Sequence, residues 1–146
     1  MELIMKDFGS ATKLFAYLAL GYMVAGLVSG VVYRELTRGV ELAGKIQLST
    51  VHTHILVLGM VMSLLFLVLE ALFHLNEQKL FKAFVWVYNL GVVGASTLMV
   101  VTGLRELWGL GEHPAISGVA GLFHIALTVG FVLFFVVLLK SLKLSK

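Results

Sequence analysis

The sequence predicts an all-α integral membrane protein, a four-helix bundle formed by a single domain spanning residues 1–146. Two observations lead to this prediction. Hydrophobic residues make up 60% of the chain and charged residues only 13%, whereas soluble domains are about half apolar and about a quarter charged. The apolar residues also fall into four blocks, each of the roughly 20 residues that a helix needs to cross a bilayer.

The four predicted spans cover residues 12–33, 46–72, 80–104 and 115–139, and short polar loops join them. The first span carries small residues at helical spacing, which would let another helix approach closely; they are Gly21, Ala25, Gly26, Ser29 and Gly30. The only proline, Pro114, precedes the fourth span and fits the first turn of a helix.

The formal charge of +3 comes from cations in short flanks beside the spans, so we do not interpret it as a nucleic-acid-binding surface. One side of the predicted membrane collects seven cations, Lys6, Lys13, Lys79, Lys82, Lys140, Lys143 and Lys146. The other side collects four, Arg34, Arg38, Lys45 and Arg105. The positive-inside rule then predicts that both termini are cytoplasmic.

The second span opens with two histidines in the stretch VHTHILVLGMVM, residues 51–62. His52 and His54 are two residues apart, so they point about 200° away from each other on a helix. Ionisable residues inside a membrane are costly and usually functional. The pair therefore predicts haem or metal ligation with one ligand field on each face. The alternative is that both rings hydrogen-bond to backbone carbonyls or to loop residues near the outer surface.

Two further positions are candidates for the same site. Gly59 lies two turns after His52 on the same side, where it would leave a gap for a flat macrocycle. His124 lies about 15 Å into the fourth span, at a depth similar to that of the histidine pair, and could pair with His52 or His54 of the same chain. The alternative for His124 is an interhelical hydrogen bond, worth about 1 kcal/mol.

Three arginines on the predicted outer side, Arg34, Arg38 and Arg105, could hold haem propionates, which need cations at the membrane edge. Such arginines could equally anchor the helix ends. The chain has no cysteine, which excludes disulfides, thiolate metal sites and covalently attached c-type haem. The methionines, Met99 among them, are predicted to be apolar filler rather than copper ligands.

The stretch VHTHILVLGMVM resembles the histidine-x-histidine helix of the haem-copper oxidase catalytic subunit, whose two histidines hold two haems on opposite sides of one helix. The whole chain also resembles small four-helix bacterial membrane proteins of unknown function, often labelled oxidase subunit I-like. In those proteins a V-H-x-H-x-x-x-L-G stretch opens the second span and a histidine sits in the fourth. The resemblance implies a multi-pass protein of the bacterial plasma membrane.

The oxidase subunit consists of three arcs of four helices, and this chain corresponds to one arc. The resemblance thus implies a homotrimer in which His52 of one copy faces His54 of its neighbour across a low-spin haem b. The chain departs from the oxidase because it has no second histidine pair for copper, no histidine–tyrosine motif and no run of acidic residues along the spans. It is therefore not expected to be a complete oxidase.

Three functions remain open from the sequence. The first is a haem b-binding membrane protein that transfers electrons or senses a gas or redox state, with a redox partner and membrane lipid around it. The second is a copper or zinc site or transporter, in which His52, His54, His113 and His124 converge near the outer mouth. The third is a structural subunit of a larger membrane complex.

Overall fold

The computed structural model describes residues 9–41, 44–111 and 113–144. Within these residues the chain forms four long helices, α1 (Ser10–Leu36), α2 (Leu48–Phe73), α3 (Phe81–Leu107) and α4 (Pro114–Leu144). All four are long and apolar enough to cross a membrane, which confirms the predicted all-α fold with four spans. The helices extend a few residues past most of the predicted boundaries, although α2 begins two residues later than predicted.

Local sequence explains where α3 ends and where α4 begins. Gly109 has a positive φ of 68°, a conformation that glycine adopts without steric cost. This turn lets the Leu110 N–H donate to the Arg105 carbonyl at 2.9 Å, which closes α3. Pro114 is the first residue of α4, as predicted. The turn therefore holds Arg105 close to the start of α4.

The connection between α2 and α3 contains a single 3₁₀ turn, Leu75–Glu77, which is preceded by His74 in the left-handed conformation with φ 50°. The Glu70 carboxylate is buried and accepts the Asn76 N–H at 2.9 Å. A buried carboxylate needs hydrogen-bond donors to offset its desolvation. Glu70 therefore caps this turn from within the bundle.

The middle of α2 departs from the regular α-helix that hydropathy predicts. The segment Ile55–Val61 is π-helical, and it lies between the α-helical segments Leu48–His54 and Met62–Phe73. The hydroxyl of Tyr88 on α3 donates to the Leu58 carbonyl within this segment at 2.8 Å. π-helical turns are rare and occur frequently at functional sites. Here the turn begins directly after His54.

Glycines let neighbouring helices approach closely. A Cβ at Gly26 on α1 would lie 2.6 Å from the Leu56 side chain of α2, which confirms the predicted close approach at Gly26. A Cβ at Gly21 would meet no atom within 4 Å. Between α3 and α4, a Cβ at Gly91 would lie 2.7 Å from the Leu127 backbone nitrogen. Small residues supply this kind of close packing between membrane helices.

An aromatic cluster fills the bundle between the N-terminal ends of α1 and α3 and the C-terminal halves of α2 and α4. Phe66 is its centre, with ring centroids 5.7 Å from Phe15, 5.0 Å from Phe84 and 4.8 Å from Phe134. Edge-on and tilted pairs at these separations stabilise aromatic cores. The two histidines of α2 lie near the opposite end of the bundle.

Candidate functional site

The imidazole rings of His54 on α2 and His124 on α4 lie side by side. Their centroids are 6.4 Å apart and their planes are inclined by 63°. The structure thus brings together two histidines that are 70 residues apart in the chain. It favours the in-chain pairing of His54 with His124 over that of His52 with His124.

A hydrogen bond along α4 determines which nitrogen of His124 is free. Nδ1 of His124 lies 2.8 Å from the Ala120 carbonyl oxygen. A carbonyl can only accept, so Nδ1 carries the proton and Nε2 of the neutral ring keeps its lone pair. This is the arrangement in which a histidine presents Nε2 to a metal while its other nitrogen is held in place.

His54 presents a nitrogen that the rest of the bundle does not satisfy. Its Nε2 atom is buried and has no hydrogen-bond partner among the described residues. An unsatisfied buried polar atom costs about 1–3 kcal/mol. The cost is removed if Nε2 binds a metal or a donor that is not part of the chain.

His52 lies on the other face of α2, against α1. A Cβ at Gly30 of α1 would lie 3.6 Å from Cβ of His52, so the His52 side chain packs against α1 at a glycine. Its Nδ1 atom is buried and has no partner within the part of the chain that the structure describes. The two histidines of α2 therefore face different helices, in agreement with the angle predicted from their spacing.

A cavity of about 280 Å³ opens beside His124. It lies at the end of the bundle that the sequence predicts to face outward, and we call them the outer cavity and the outer end. Arg105, Glu106, His113 and Ser117 line it together with His124. The Arg105 side chain is partly buried, and its Nη2 donates to the Leu110 carbonyl at 3.1 Å. Its Nε atom is buried without a partner among the described residues. The cavity is therefore lined both by His124 and by an Arg105 guanidinium whose Nε has no hydrogen-bond partner among the described residues.

A second, more open groove of about 450 Å³ lies along α2 on the His54 side. Its lining includes Thr50, Thr53 and the thioether-bearing Met99 of α3. Met99 also packs against the buried residues Leu48 and Val51 at the outer end of the bundle. The groove and the outer cavity each include one ring of the His54–His124 pair in their walls.

The sequence profile of a family described as protein of unknown function (DUF2871) matches residues 12–141. The chain belongs to this family. The matched region begins in the first turn of α1 and ends in the last turn of α4, so the DUF2871 match includes all four helices and both histidine-bearing segments. No curated protein and no solved structure matches the chain. The predicted likeness to an oxidase arc stays a prediction.

The other two arginines predicted to hold propionates, Arg34 and Arg38, are exposed. Arg38 is exposed and pairs with Glu35 at 3.7 Å, three residues earlier. Arg34 is exposed in the last turn of α1. Of the three arginines predicted to hold propionates, Arg105 is the one that shares a cavity with a histidine.

The gap predicted at Gly59 is filled by the protein itself. The ring of Tyr22 on α1 packs against Gly59 so closely that a Cβ there would overlap it. A macrocycle on this face of α2 would have to displace that ring. The structure thus gives Gly59 a packing role, and this corrects its predicted role as the gap for a cofactor.

The histidines predicted to converge for copper or zinc do not do so. His52 faces α1, whereas His113 lines the outer cavity with His124. In residues 9–41, 44–111 and 113–144, no group of three or more histidine, cysteine or acidic side chains is close enough to hold a metal ion. The pair His54–His124 is therefore the arrangement on which a functional proposal can rest.

Sequence reasoning did not predict two hydrogen-bonded tyrosines inside the bundle. Tyr22 donates its hydroxyl to the Asn89 side-chain oxygen at 2.6 Å, and Tyr88 donates to the π-helical segment of α2. Tyrosine in an apolar span is a signal of a buried hydrogen bond, because a phenol group in hydrocarbon needs a partner. The signal was present, but it does not identify the partner.

Proposed function

We propose that this protein is a haem b-binding electron-transfer protein of the membrane, in which His54 and His124 supply the two axial ligands. The observation that carries the proposal is the pair itself. Two imidazoles from different helices lie 6.4 Å apart, one with a buried unsatisfied Nε2 and the other with Nε2 left free by a backbone hydrogen bond.

The separation of the rings favours haem over a tetrahedral ion. Metal–nitrogen bonds are about 2 Å long, so two imidazoles on opposite sides of one metal have centroids about 6 Å apart. Two imidazoles on a tetrahedral zinc ion come to about 5 Å under the same bond length. The observed 6.4 Å fits opposite binding. Two neutral imidazoles from facing helices are the donor set that would hold a bis-histidine haem.

Arg105 supports the same interpretation. A haem carries two carboxylates, and charge-assisted hydrogen bonds from a guanidinium are the strong way to bind them. Arg105 lines the cavity that contains His124 and has an unpartnered Nε. Since the chain has no cysteine, attachment is non-covalent, as in a b-type haem.

The chain's own groups determine what such a site can do. His54 and His124 would together hold the haem iron, which would suit electron transfer and would leave no ligand position for a substrate. When bound, the haem supplies a reversible one-electron couple. The Ala120 carbonyl fixes the tautomer and orientation of His124.

The proposed setting is the bacterial plasma membrane, as the family resemblance implies. Both termini would lie in the cytoplasm, because one side of the predicted membrane carries more Lys and Arg. The His54–His124 pair would then lie in the outer half of the membrane, and an electron partner would approach the outer cavity. The homotrimer stays a prediction from the oxidase resemblance. A haem held by His54 and His124 would be complete within one copy and would not depend on it.

The test is an optical spectrum of the purified protein from haem-replete cells, before and after added haemin. We expect a Soret band and sharp, split visible bands on reduction. His54→Ala and His124→Ala should each abolish the low-spin spectrum. His52→Ala is the matched control, because it removes an imidazole from the other face of α2 and should retain the haem.

Two results would overturn this assignment. Protein that stays colourless with added haemin would reject haem binding, and stoichiometric copper or zinc in the same sample would favour the metal-ion alternative. Loss of haem in the His52→Ala and His54→Ala variants, with retention in His124→Ala, would instead move the haem to an interface between copies.

A further inference from the structure

Tyr88 on α3 contacts both of the histidine-bearing helices. It lies in the first third of α3, it is 1% exposed, and its ring packs edge-on against Phe66 of α2 and Phe131 of α4, each at 5.1 Å between centroids. Its side chain therefore contacts both α2 and α4, although it belongs to neither.

On the α2 side, the contact is a hydrogen bond to the main chain. The Tyr88 hydroxyl donates to the Leu58 carbonyl at 2.8 Å, four residues after His54 and within the π-helical segment. A backbone carbonyl in an apolar surrounding strongly favours a donor. The bond therefore fixes the height and rotation of α2 at a point about 6 Å along the helix from His54.

On the α4 side, the contact is close packing between the two backbones. A Cβ built on Gly130 would lie 2.7 Å from the Cα atom of Tyr88, so the two backbones touch without a side chain between them. Gly130 follows His124 by six residues, or about 9 Å along the helix. Packed interiors transmit displacements of this kind instead of absorbing them.

We infer that Tyr88 is a positioning residue that sets the separation and relative orientation of His54 and His124. As a role in ligand geometry, this inference rests on the proposed function, but the separation of the two helices can be measured without any haem. Loss of the hydroxyl frees the Leu58 carbonyl and the π-helical turn. α2 can then shift or rotate while α4 stays against α3.

The first measurement uses the chain's lack of cysteine. Thr53→Cys and Ile125→Cys introduce one exposed thiol beside each histidine, and nitroxide labels there report the α2–α4 separation by dipolar broadening. Tyr88→Phe should shift or broaden the distance distribution. Tyr22→Phe is the matched control, because it also removes one intramembrane hydroxyl bond, but from Asn89 on α3 and not from the π-helical segment. It should leave the distribution unchanged.

The second measurement uses the haem-loaded protein without labels. Tyr88→Phe should shift the low-spin g values of the oxidised haem, which report the relative orientation of the two imidazole planes, and should shift the midpoint potential. Tyr22→Phe should match the parent protein in both. If Tyr88→Phe fails to fold, Gly130→Ala disturbs the same contact from α4, and Gly118→Ala, which has open space around it, is its control.

The outcomes separate the two proposals. An unchanged interspin distance in Tyr88→Phe, or an equal change in Tyr22→Phe, overturns the positioning role even if the protein binds haem. A shifted distance in a protein that takes up no haem overturns the proposed function and supports Tyr88 as the residue that spaces the two helices.

Discussion

The ring of Tyr22 on α1 packs directly against Gly59 on α2, where no side chain could be accommodated. The hydroxyl of the same tyrosine reaches Asn89 on α3 at 2.6 Å. One residue thus joins three helices at the π-helical segment. This makes the Tyr22–Gly59 contact a sensitive place at which to test the packing of the bundle.

Gly59→Ala should destabilise the bundle by about 1–3 kcal/mol, the usual cost of overpacking a tight site. The added Cβ would overlap the Tyr22 ring and force α1 away from α2. Unfolding in mixed micelles with increasing SDS, followed by circular dichroism, measures the change. Gly21→Ala, which has no atom within 4 Å of its Cβ, should be neutral or slightly stabilising. Equal losses in both variants would contradict the packing role of Gly59.

Tyr22→Phe should lower stability by about 0.5–1.5 kcal/mol, because the Asn89 side chain loses its donor within an apolar region. The same SDS titration measures the loss. Tyr17→Phe is the control, since Tyr17 is 72% exposed on the outside of α1. A Tyr22→Phe protein as stable as its parent would show that the Asn89 bond contributes nothing to folding.

Glu106→Ala should cost about 1 kcal/mol, because the Glu106 carboxylate accepts the Gln47 backbone N–H at 2.6 Å and ties the start of α2 to the end of α3. Glu106→Gln keeps an acceptor and should recover most of the loss. Glu35→Ala removes a carboxylate from the exposed pair with Arg38 and should change stability by less than about 0.5 kcal/mol. Thermal unfolding in one detergent compares the three variants.

Arg105→Ala should weaken haem retention about tenfold, the effect of losing one charge-assisted hydrogen bond of about 1.5 kcal/mol to a propionate. Transfer of haem to an apoprotein scavenger, followed by absorbance, measures the rate of loss. Arg38→Ala is the matched control, because Arg38 is exposed and already paired with Glu35. Faster loss in the Arg38 variant than in the Arg105 variant would place the carboxylates elsewhere.

Much of the architecture could be predicted because membrane helices follow local rules. Apolar blocks of sufficient length identify the four spans, and Pro114 marks the start of α4 as expected. The opposite directions of His52 and His54 follow from the helical repeat alone. His54 keeps this property because the π-helical turn begins one residue after it.

The partners of those residues could not be predicted from local rules. Helical periodicity says that His52 and His54 diverge, but it does not say that α1 covers one and α4 approaches the other. The role of Gly59 was misassigned for this reason, since a glycine gap has the same sequence signature whether a tyrosine or a cofactor fills it. Likewise, three outer arginines look equivalent until the turn at Gly109 places Arg105 beside α4.

Hydropathy and helical repeat thus specify four apolar helices and the direction of each histidine, because both depend on neighbours within one or two turns. The meeting of His54 with His124, the π-helical turn and the bond from Tyr88 depend on residues 30 to 70 positions apart. Those contacts arise from how glycine-lined helix faces fit against one another. The fit depends on both helices of a pair, so the sequence of one helix does not determine it.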